Sequence, residues 1–361
     1  MMNRLILPVG YAGGEKESRA AMRLSALRGQ GWQVTVYTPG VRNMDERFTE
    51  AGIDVRHLPM RGFSDYISIR RMADHLRREP QGACIVAQSF RVAFISLCAR
   101  RLALRPDIKV SLIYRRTDAP RVTWLARRVY RNLSAIFFTS VYSMSMFALA
   151  EKQTGHTLIP PQRKHLILEG VGAAPPPAAE PKGPVMAIYN GDLRHGCGLG
   201  RLIDVLPRLR GKRIRLMISG YGRSDYMDRL RRRAMRRDVM DMISWRRDRA
   251  SLDTLGAQCH FGVFPYKDET AFSDANIELM AAGRPQIVSD GKIAREYLDD
   301  DGGGIYVDAA DMEGFADAML RMAAETGLRH KLGREAARRY DTLFSAERLQ
   351  KPFVENLKYI D

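Results

Sequence analysis

Cysteine is scarce in this sequence of 361 residues. Its four cysteines lie far apart, form no Cys-x-x-Cys pair and have no histidine cluster nearby; they are Cys84, Cys98, Cys197 and Cys259. Disulfide-stapled secreted domains are dense in cysteine, and zinc sites use closely spaced cysteine and histidine ligands. The sequence therefore argues against both classes and indicates free thiols in a reducing compartment.

Long apolar runs are also missing. The apolar stretch at residues 5–9 is shorter than the core of a secretory signal, so we expect it to be the first strand. Residues 133–150 carry no charge, which is the pattern of a short membrane span, but they include five serines and threonines. We interpret this segment as a strand at 135–139 followed by an amphipathic helix.

Acidic residues are fewer than basic ones, 41 against 58, which gives a net charge of +17 and a pI near 10.0. Such an excess predicts an anionic partner. Nucleic acid is one such partner, but the sequence has no helix-turn-helix, zinc-finger or RNA-binding signature. We therefore expect no nucleic-acid binding.

The length and composition indicate a large folded protein. A hydrophobic content of 45% with 27% charged residues excludes disorder as the main state. A chain of this length predicts two domains, each with its own core.

Short apolar segments alternate with helical patterns along both halves. The predicted strands are residues 5–9, 33–38, 53–58, 84–88, 109–114, 135–139 and 166–168, then 185–189, 214–219, 242–245, 261–265, 286–289 and 304–307. Between the halves, a proline- and alanine-rich stretch at 170–184 suits neither a helix nor a central strand. The pattern predicts an α/β fold of two doubly wound, Rossmann-like domains.

The run at 276–290 places a carboxylate, a glycine-proline turn and an apolar strand in succession. The pattern predicts a strand at 261–265, a helix at 275–282 that ends at Gly283, and a strand from Gln286. In parallel sheets this order places the start of the helix at the carboxyl edge of the sheet, where open α/β folds bind ligands. We therefore expect Glu278 to lie near that edge.

This run resembles the donor-sugar signature of GT-B glycosyltransferases, especially the large retaining family, family 4, that uses nucleotide-diphosphate sugars. The matching residues are Phe272, Glu278, Met280, Ala281, Gly283, Pro285, Ile287 and Val288. The first glutamate of the signature is replaced by Thr270, and Glu269 stands one residue early. The resemblance implies that Glu278 binds the ribose hydroxyls of the nucleotide and that the two domains face a cleft.

The resemblance also implies a domain plan. Residues 1–170 would bind the acceptor, residues 171–184 would be the linker, and residues 185–340 would bind the nucleotide sugar. Residues 341–361 would form a terminal helix that crosses back to the first domain, kinked at Pro352.

Further donor contacts follow from the family's glycine-rich loops. The candidate donor-binding residues are Gly13, Gly14, Gly191, Arg194, Gly220, Tyr221, Trp245, Arg246, Thr270, Phe272, Ser273, Asn276 and Glu278. The loop at 191–198 lacks the usual lysine, so Arg194 and His195 are the candidates to hold the diphosphate, Arg194 first because a guanidinium binds two oxygens. A tight turn at residues 10–14, a solvent-facing Arg194 and a core Trp245 are the alternatives.

Asp118 is the candidate catalytic base in the first domain. It follows a predicted strand, and Arg115 and Arg116 beside it are expected to lower its pKa. A helix cap or a structural ion pair is the alternative. If the enzyme retains configuration, the leaving phosphate takes the proton and Asp118 only positions the acceptor.

Basic and aromatic residues interleave in the first half. Together with Arg115 and Arg116, the candidate membrane or acceptor contacts are Trp124, Arg127, Arg128 and Arg131. Such a pattern suits an anionic bilayer surface. By contrast, the arginines of residues 228–238 fall all around a helix, which indicates a solvated face.

The sequence thus predicts a cytoplasmic glycosyltransferase, peripherally bound to the inner face of a membrane. It would move a sugar from a UDP or GDP type of donor to a glycan or lipid-linked acceptor, in bacterial-type polysaccharide or glycolipid assembly. No metal and no further cofactor are expected. The alternatives are a nucleotide-sugar epimerase of the same architecture and a catalytically inactive binding subunit, which the residue at Thr270 supports.

Overall fold

The chain folds into two compact units, with the division after Leu168. The computed structural model describes residues 4–10, 26–40, 42–168, 178–220, 222–247, 250, 252–268, 272–299, 303–345 and 355. Of the predicted linker, residues 178–184 form neither helix nor strand, and residues 171–177 lie outside the described ranges. Each unit contains one parallel sheet.

The first unit contains seven strands and five helices among its described residues. They are β1 (Arg4–Pro8), β2 (Gln33–Thr38), α1 (Arg42–Glu50), β3 (Asp54–His57), α2 (Tyr66–Leu76), β4 (Cys84–Ala87), α3 (Phe90–Leu102), β5 (Lys109–Tyr114), α4 (Trp124–Arg131), β6 (Ala135–Phe138), α5 (Val141–Thr154) and β7 (Lys164–Leu166). The sheet order is β3-β2-β1-β4-β5-β6-β7 with parallel pairing throughout. Apolar cores cover both faces of this sheet, which explains the near-continuous apolar sequences of β1, β4 and β6.

Local signals set the helix ends in this unit. The side chain of Thr123 accepts a hydrogen bond from the N–H of Ala126 and so caps α4. The side chain of Ser140 caps α5 in the same way, and Gly155 ends α5 in the left-handed conformation. The uncharged segment 133–150 is therefore β6 followed by α5, as predicted. No helix within the described ranges is long and apolar enough to cross a membrane.

The second unit contains six strands and seven helices among its described residues. They are β8 (Val185–Asn190), α6 (Leu199–Val205), β9 (Ile214–Ser219), α7 (Ser224–Arg236), β10 (Ile243–Arg246), α8 (Leu252–Gln258), β11 (Phe261–Phe264), α9 (Asp274–Ala281), β12 (Gln286–Ser289), α10 (Lys292–Leu298), β13 (Gly304–Val307), α11 (Met312–Ala324) and α12 (Thr326–Arg339). The sheet order is β10-β9-β8-β11-β12-β13, again parallel. The strand order reverses between β8 and β11, so the carboxyl ends of these two strands form a topological switch point.

The predicted fold class is confirmed: both units are doubly wound α/β layers. One strand prediction is wrong by two residues, because β7 is Lys164–Leu166 and not 166–168. Its pairing with β6 begins at Lys164 opposite Ile136. β7 lies at the edge of the sheet and is only partly buried, so its apolar pattern was a poor guide to its position.

The structure describes only part of the segments near the two ends of the chain. Before β2 the described residues form a 3-10 helix, Ala26–Gln30, and residues 11–25 lie outside the described ranges. A π-helical turn, Tyr340–Phe344, follows α12. The predicted terminal helix falls almost wholly on residues beyond the described ones.

Candidate functional site

The carboxyl end of β8 holds the carboxylate that the sequence singled out. Asn190, the last residue of β8, is fully buried. Its Nδ2 donates to the Ala250 carbonyl at 3.2 Å and to Glu278 Oε2 at 3.4 Å. Glu278 lies in the second turn of α9, the helix that follows β11. The switch point between β8 and β11 therefore positions the Glu278 carboxylate, as expected.

Ala250 ties a third chain segment to the same edge. Its N–H donates to Asn190 Oδ1 at 3.0 Å and to Ser219 Oγ at 2.9 Å. Ser219 ends β9, and its carbonyl accepts from the Gly191 N–H at 3.0 Å. All of these polar groups are buried, and burial without partners would cost free energy. The network fixes the relative positions of β8, β9 and the segment after β10. Asn190 and Ser219 were not among the predicted site residues, because each looks like an ordinary strand end in the sequence.

The loops after β8 and β9 touch each other through the main chain. A Cβ atom added to Gly220 would lie 1.8 Å from the Gly191 carbonyl oxygen, and one added to Gly222 would lie 2.5 Å from that of Leu193. Only glycine permits this approach. Gly191 and Gly220, both predicted as donor-binding residues, therefore form one backbone surface beside Asn190. Tyr221, between the two glycines, lies outside the described residues.

The loop after β8 then turns into α6 through a tightly packed glycine. Gly198 has φ +76°, and a Cβ atom there would lie 1.6 Å from the Pro265 carbonyl oxygen. Before it, His195–Cys197 form a 3-10 turn, and the Gly196 carbonyl accepts from the Lys267 N–H at 3.1 Å. These contacts hold the His195 turn against the chain that follows β11.

A cationic cluster forms at this turn. Arg194 and His195 are both exposed. His195 Nε2 lies 2.9 Å from Nη2 of Arg229, whose guanidinium also lies over the Tyr226 ring at 5.7 Å. The interpretation of residues 228–238 as a solvated face is thus only partly right. Besides Arg229, Arg233 pairs with Asp204 of α6. No sequence motif marks Arg229, since α7 contains several other arginines.

The start of α9 is held by a second buried network. Asn276 Oδ1 accepts from the Ser273 N–H at 2.9 Å and from the Tyr266 hydroxyl at 3.2 Å. Asn276 Nδ2 donates to Gln286 Oε1 at 2.8 Å. Burial raises the pKa of Tyr266, and the nearby charge of Arg194 opposes that rise. Ser273 and Asn276, predicted to contact the donor, thus contribute here to the position of the helix that carries Glu278.

The remaining predicted donor residues are more scattered. Phe272 packs on Tyr297, with ring centroids 4.9 Å apart. Trp245 is half-buried with Arg231 of α7 over its ring, and Arg246 donates to Gln258 Oε1 at 2.7 Å. Both Trp245 and Arg246 end β10, beside β9. Gly13, Gly14 and Thr270 lie outside the described residues.

Asp118 of the first unit is exposed and ion-paired. Its two carboxylate oxygens accept from Nε of Arg116 at 3.0 Å and from Nη2 of the same side chain. The Arg116 guanidinium lowers the pKa of Asp118, as expected. Arg115 contributes differently, because it donates to the Gln88 side chain at 3.2 Å. A base kept ionised and an ordinary surface ion pair are both consistent with this geometry.

Four of the predicted membrane or acceptor residues, Trp124, Arg127, Arg128 and Arg131, lie on α4. The Trp124 ring is 72% exposed, and the guanidinium of Arg128 lies over it at 5.7 Å. Arg131 is exposed and Arg127 is half-buried. In the described part of the chain there is no group of three or more His, Cys, Asp or Glu side chains that could hold a metal ion.

Comparisons with known proteins agree with this arrangement. Residues 17–148 match the model of the glycosyl transferase 4-like domain, and residues 185–325 match that of glycosyl transferases group 1. A comparison of the sequence with curated proteins found no relative.

Solved structures share the fold across the whole chain. A glycosyltransferase from Rickettsia africae is 14% identical, with a TM-score of 0.82 over 99% of this chain and 98% of that one. Anabaena HepE, solved in complex with UDP-glucose, is 15% identical, with a TM-score of 0.80 over 99% of this chain and 100% of that one. Sucrose-phosphate synthase from Thermosynechococcus elongatus is 15% identical, with a TM-score of 0.75 and 98% of each chain covered.

The first family match covers strands of the first sheet. The second covers the strands of the second sheet and includes Asn190 and Glu278. The chain belongs to the GT-B glycosyltransferases of the family 4 type.

Proposed function

We propose that the protein transfers a sugar from a UDP-sugar to a glycan or lipid-linked acceptor. The observation that carries this proposal is the contact between Asn190 Nδ2 and Glu278 Oε2, 3.4 Å long, at the switch point of the second sheet. A carboxylate held in one place beside a backbone surface of glycines suits the vicinal hydroxyls of a ribose, since each hydroxyl donates a hydrogen bond. The UDP and UDP-glucose complexes of Anabaena HepE favour uracil as the base.

The diphosphate would be bound by the cations of the turn after β8. Arg194 and Arg229, whose Nη2 donates to His195 Nε2, supply positive charge close to the start of α6. As the acceptor oxygen bonds to the anomeric carbon, the bond from that carbon to the β-phosphate oxygen breaks, and UDP leaves with the electron pair. Charge develops on the departing phosphate, where fixed cations lower the barrier most. We propose that these side chains act without a metal ion.

Asp118 is proposed to receive the proton of the acceptor hydroxyl. Its pKa is held below the ordinary range by Arg116, so it is ionised at neutral pH. A base must be unprotonated to accept that proton. If the reaction retains configuration, the leaving phosphate takes the proton and Asp118 only orients the acceptor.

The acceptor is proposed to be presented at an anionic membrane surface, in polysaccharide or glycolipid assembly. Trp124 is exposed and carries Arg128 on its ring, and Arg127 and Arg131 extend the positive charge along α4. Each basic residue near an anionic bilayer contributes about 1 kcal/mol to binding. Association of the protein with anionic vesicles is therefore expected to weaken as the salt concentration rises.

Replacement of Glu278 tests the donor site directly. Glu278→Gln keeps the size of the side chain but removes the charge, and we expect it to weaken UDP binding at least tenfold in titration calorimetry. Glu325→Gln is the matched control, because Glu325 forms only an exposed pair with Arg321 at 3.5 Å. Equal UDP affinity in Glu278→Gln and the native protein would refute the proposal.

Product analysis separates the possible activities. Release of UDP that depends on an added acceptor supports sugar transfer. Isomerisation of the sugar without an acceptor identifies an epimerase instead. UDP-sugar binding without turnover under any acceptor identifies a binding subunit.

A further inference from the structure

The first unit has a groove at the opposite edge of its sheet from the candidate base Asp118. Helix α3 begins after the carboxyl end of β4 and runs back to the start of β5, and α4 runs in the same sense between β5 and β6. A groove of about 470 Å³ separates the two helices. That volume is within the range of small-molecule sites. Because the groove extends to Leu104 and Pro106, just before β5, it lies toward the amino edge of the sheet.

The floor of the groove is apolar. Phe94 and Leu97 of α3 and Leu125 of α4 line it, and all three are only partly buried against the core. Leu104, at one end, is 83% exposed and has φ +57°. That conformation belongs to the turn that ends α3, where the N–H groups of Leu104 and Arg105 donate to the carbonyls of Arg101 and Arg100. This apolar floor favours a ligand with a hydrocarbon part.

The rim of the groove is cationic. Arg100, Arg101, Arg105 and Arg128 line it, and no acidic residue in the described part of the chain does. Arg105 is already occupied by Asp107 and by the carbonyls of Leu76 and Glu79. Neither Arg101 nor Arg128 has a described ion-pair partner, and both are close enough to Cys98 to lower its pKa against the larger effect of burial. Two cations above an apolar floor match a phosphate attached to an alkyl chain.

We propose that this groove binds one anionic phospholipid, with an acyl chain along Phe94, Leu97 and Leu125 and the phosphate between Arg101 and Arg128. Trp124, whose ring Arg128 covers, flanks the groove and suits the interfacial layer of a bilayer. The inference extends the membrane contact proposed above from a surface to a single lipid. It depends on neither donor binding nor sugar transfer.

Cys98 reports on occupancy, since it lines the groove and is half-buried. The other three cysteines are buried, and burial raises the pKa of Cys84 to about 11 and that of Cys259 to about 12. The thiolate is the reactive form, so N-ethylmaleimide is expected to modify Cys98 first. The rate of Cys98 alkylation in the intact protein can be followed by peptide mass spectrometry.

Dioctanoyl phosphatidylglycerol is expected to slow Cys98 alkylation at least fivefold. Dioctanoyl phosphatidylcholine should slow it less than twofold, because its choline group repels the arginines, and inorganic phosphate should not slow it. The double variant R101Q/R128Q is expected to lose the preference for phosphatidylglycerol. R70Q/R71Q, which removes the same charge from two exposed positions of α2, should retain it.

Three results would overturn the inference. Equal protection by the two lipids, or by phosphate alone, would show that the groove does not select an anionic lipid. Protection that rises with protein concentration in the absence of lipid would identify a second copy of the chain as the occupant. No protection by phosphatidylglycerol in the native protein would show that the groove takes no lipid. UDP affinity, measured on the same samples, reports the donor site separately.

Discussion

Some glycines of the second unit allow a close main-chain contact that no described glycine of the first unit makes. Among the described residues of the first unit, an added Cβ atom at Gly31, Gly82 or Gly155 would meet no atom within 4 Å. In the second unit, an added Cβ atom at Gly198 or Gly220 would overlap a carbonyl oxygen. The first set serves turns that need a positive φ, whereas the second allows two main-chain segments to touch. The loops at the proposed donor site are therefore fixed by backbone packing.

The two candidate carboxylates differ in the same way. Glu278 is tied to Asn190, which is buried at the end of a strand. Asp118 is exposed, and its described partner, Arg116, lies two residues away in the chain. We therefore expect substitutions at the Glu278 network to lower stability, and a substitution at Asp118 to leave stability nearly unchanged.

The largest effect is expected at Gly198. Gly198→Ala would force a methyl group into the Pro265 carbonyl, in addition to the cost of a positive φ, so we expect a loss of at least about 3 kcal/mol in unfolding free energy. Gly211→Ala is the matched control: Gly211 has φ +78° but no atom within 4 Å of the added methyl. We expect it to lose only about 1 kcal/mol. Urea titration compares the two, and equal losses would mean that the contact with Pro265 is unimportant.

The next largest effect is expected at Asp118, and on rate alone. If Asp118 is the base, Asp118→Asn lowers kcat about 100-fold, which corresponds to about 2.7 kcal/mol of barrier. Its stability should change by less than about 0.5 kcal/mol, since the pair with Arg116 is exposed. Steady-state kinetics and thermal melts check both parts. A variant with unchanged kcat would leave Asp118 as a surface ion pair.

The pH dependence of kcat/KM in Arg116→Gln gives a second test of Asp118 as the base. Arg116 lowers the pKa of Asp118, so its removal is expected to move the acidic limb of kcat/KM to higher pH. A purely structural ion pair would leave that limb where it is.

The strands and the position of Glu278 could be predicted from the sequence, because they follow from the repeated strand-helix pattern and from one motif. Five strands, among them β5, β9 and β12, have the predicted bounds, because their apolar residues are enclosed by clear turn residues. The position of Glu278 followed from the helix after β11. Asn190, Ser219 and Arg229 could not be predicted as site residues, because their partners in the site lie 31 to 88 residues away along the chain. Such pairings depend on which strands become neighbours, and a single sequence does not state that order.

A smaller effect is expected at Asn190. Asn190→Ala removes the described donor to the buried Ala250 carbonyl and the contact with Glu278, so we expect a loss of about 2 kcal/mol and weaker UDP binding. Asn132→Ala is the control from the first unit, since Asn132 is exposed and donates only to the Arg128 carbonyl at 2.7 Å. We expect it to cost about 0.5 kcal/mol. Thermal melts with and without UDP compare them, and an Asn190 variant that is as stable as the control would contradict the network.

The smallest effect is the change in stability with pH that His260 of the second unit causes. His260 is buried, and its Nδ1 accepts a hydrogen bond from the Met186 N–H at 3.0 Å, which requires a neutral ring nitrogen. Burial lowers the pKa of His260, with Arg329 and Arg284 adding to that effect and Glu180 opposing it. An unfolded histidine titrates near 6.5. The folded protein therefore binds fewer protons than the unfolded chain just below that pH, and stability falls as the pH decreases.

His260→Asn isolates this contribution. The side-chain oxygen of asparagine can accept the same N–H but does not titrate between pH 7 and pH 5. In that window Glu180 stays ionised, because its pKa is lowered by Arg329. From pH 7 to pH 5, we expect the Tm of the native protein to fall more than that of the variant. The difference between the two decreases should not exceed roughly 2–4 °C, which corresponds to about 1 kcal/mol in a unit of this size. Since histidines of the first unit titrate identically in both proteins, parallel pH curves would show that His260 is not charged more readily in the unfolded chain.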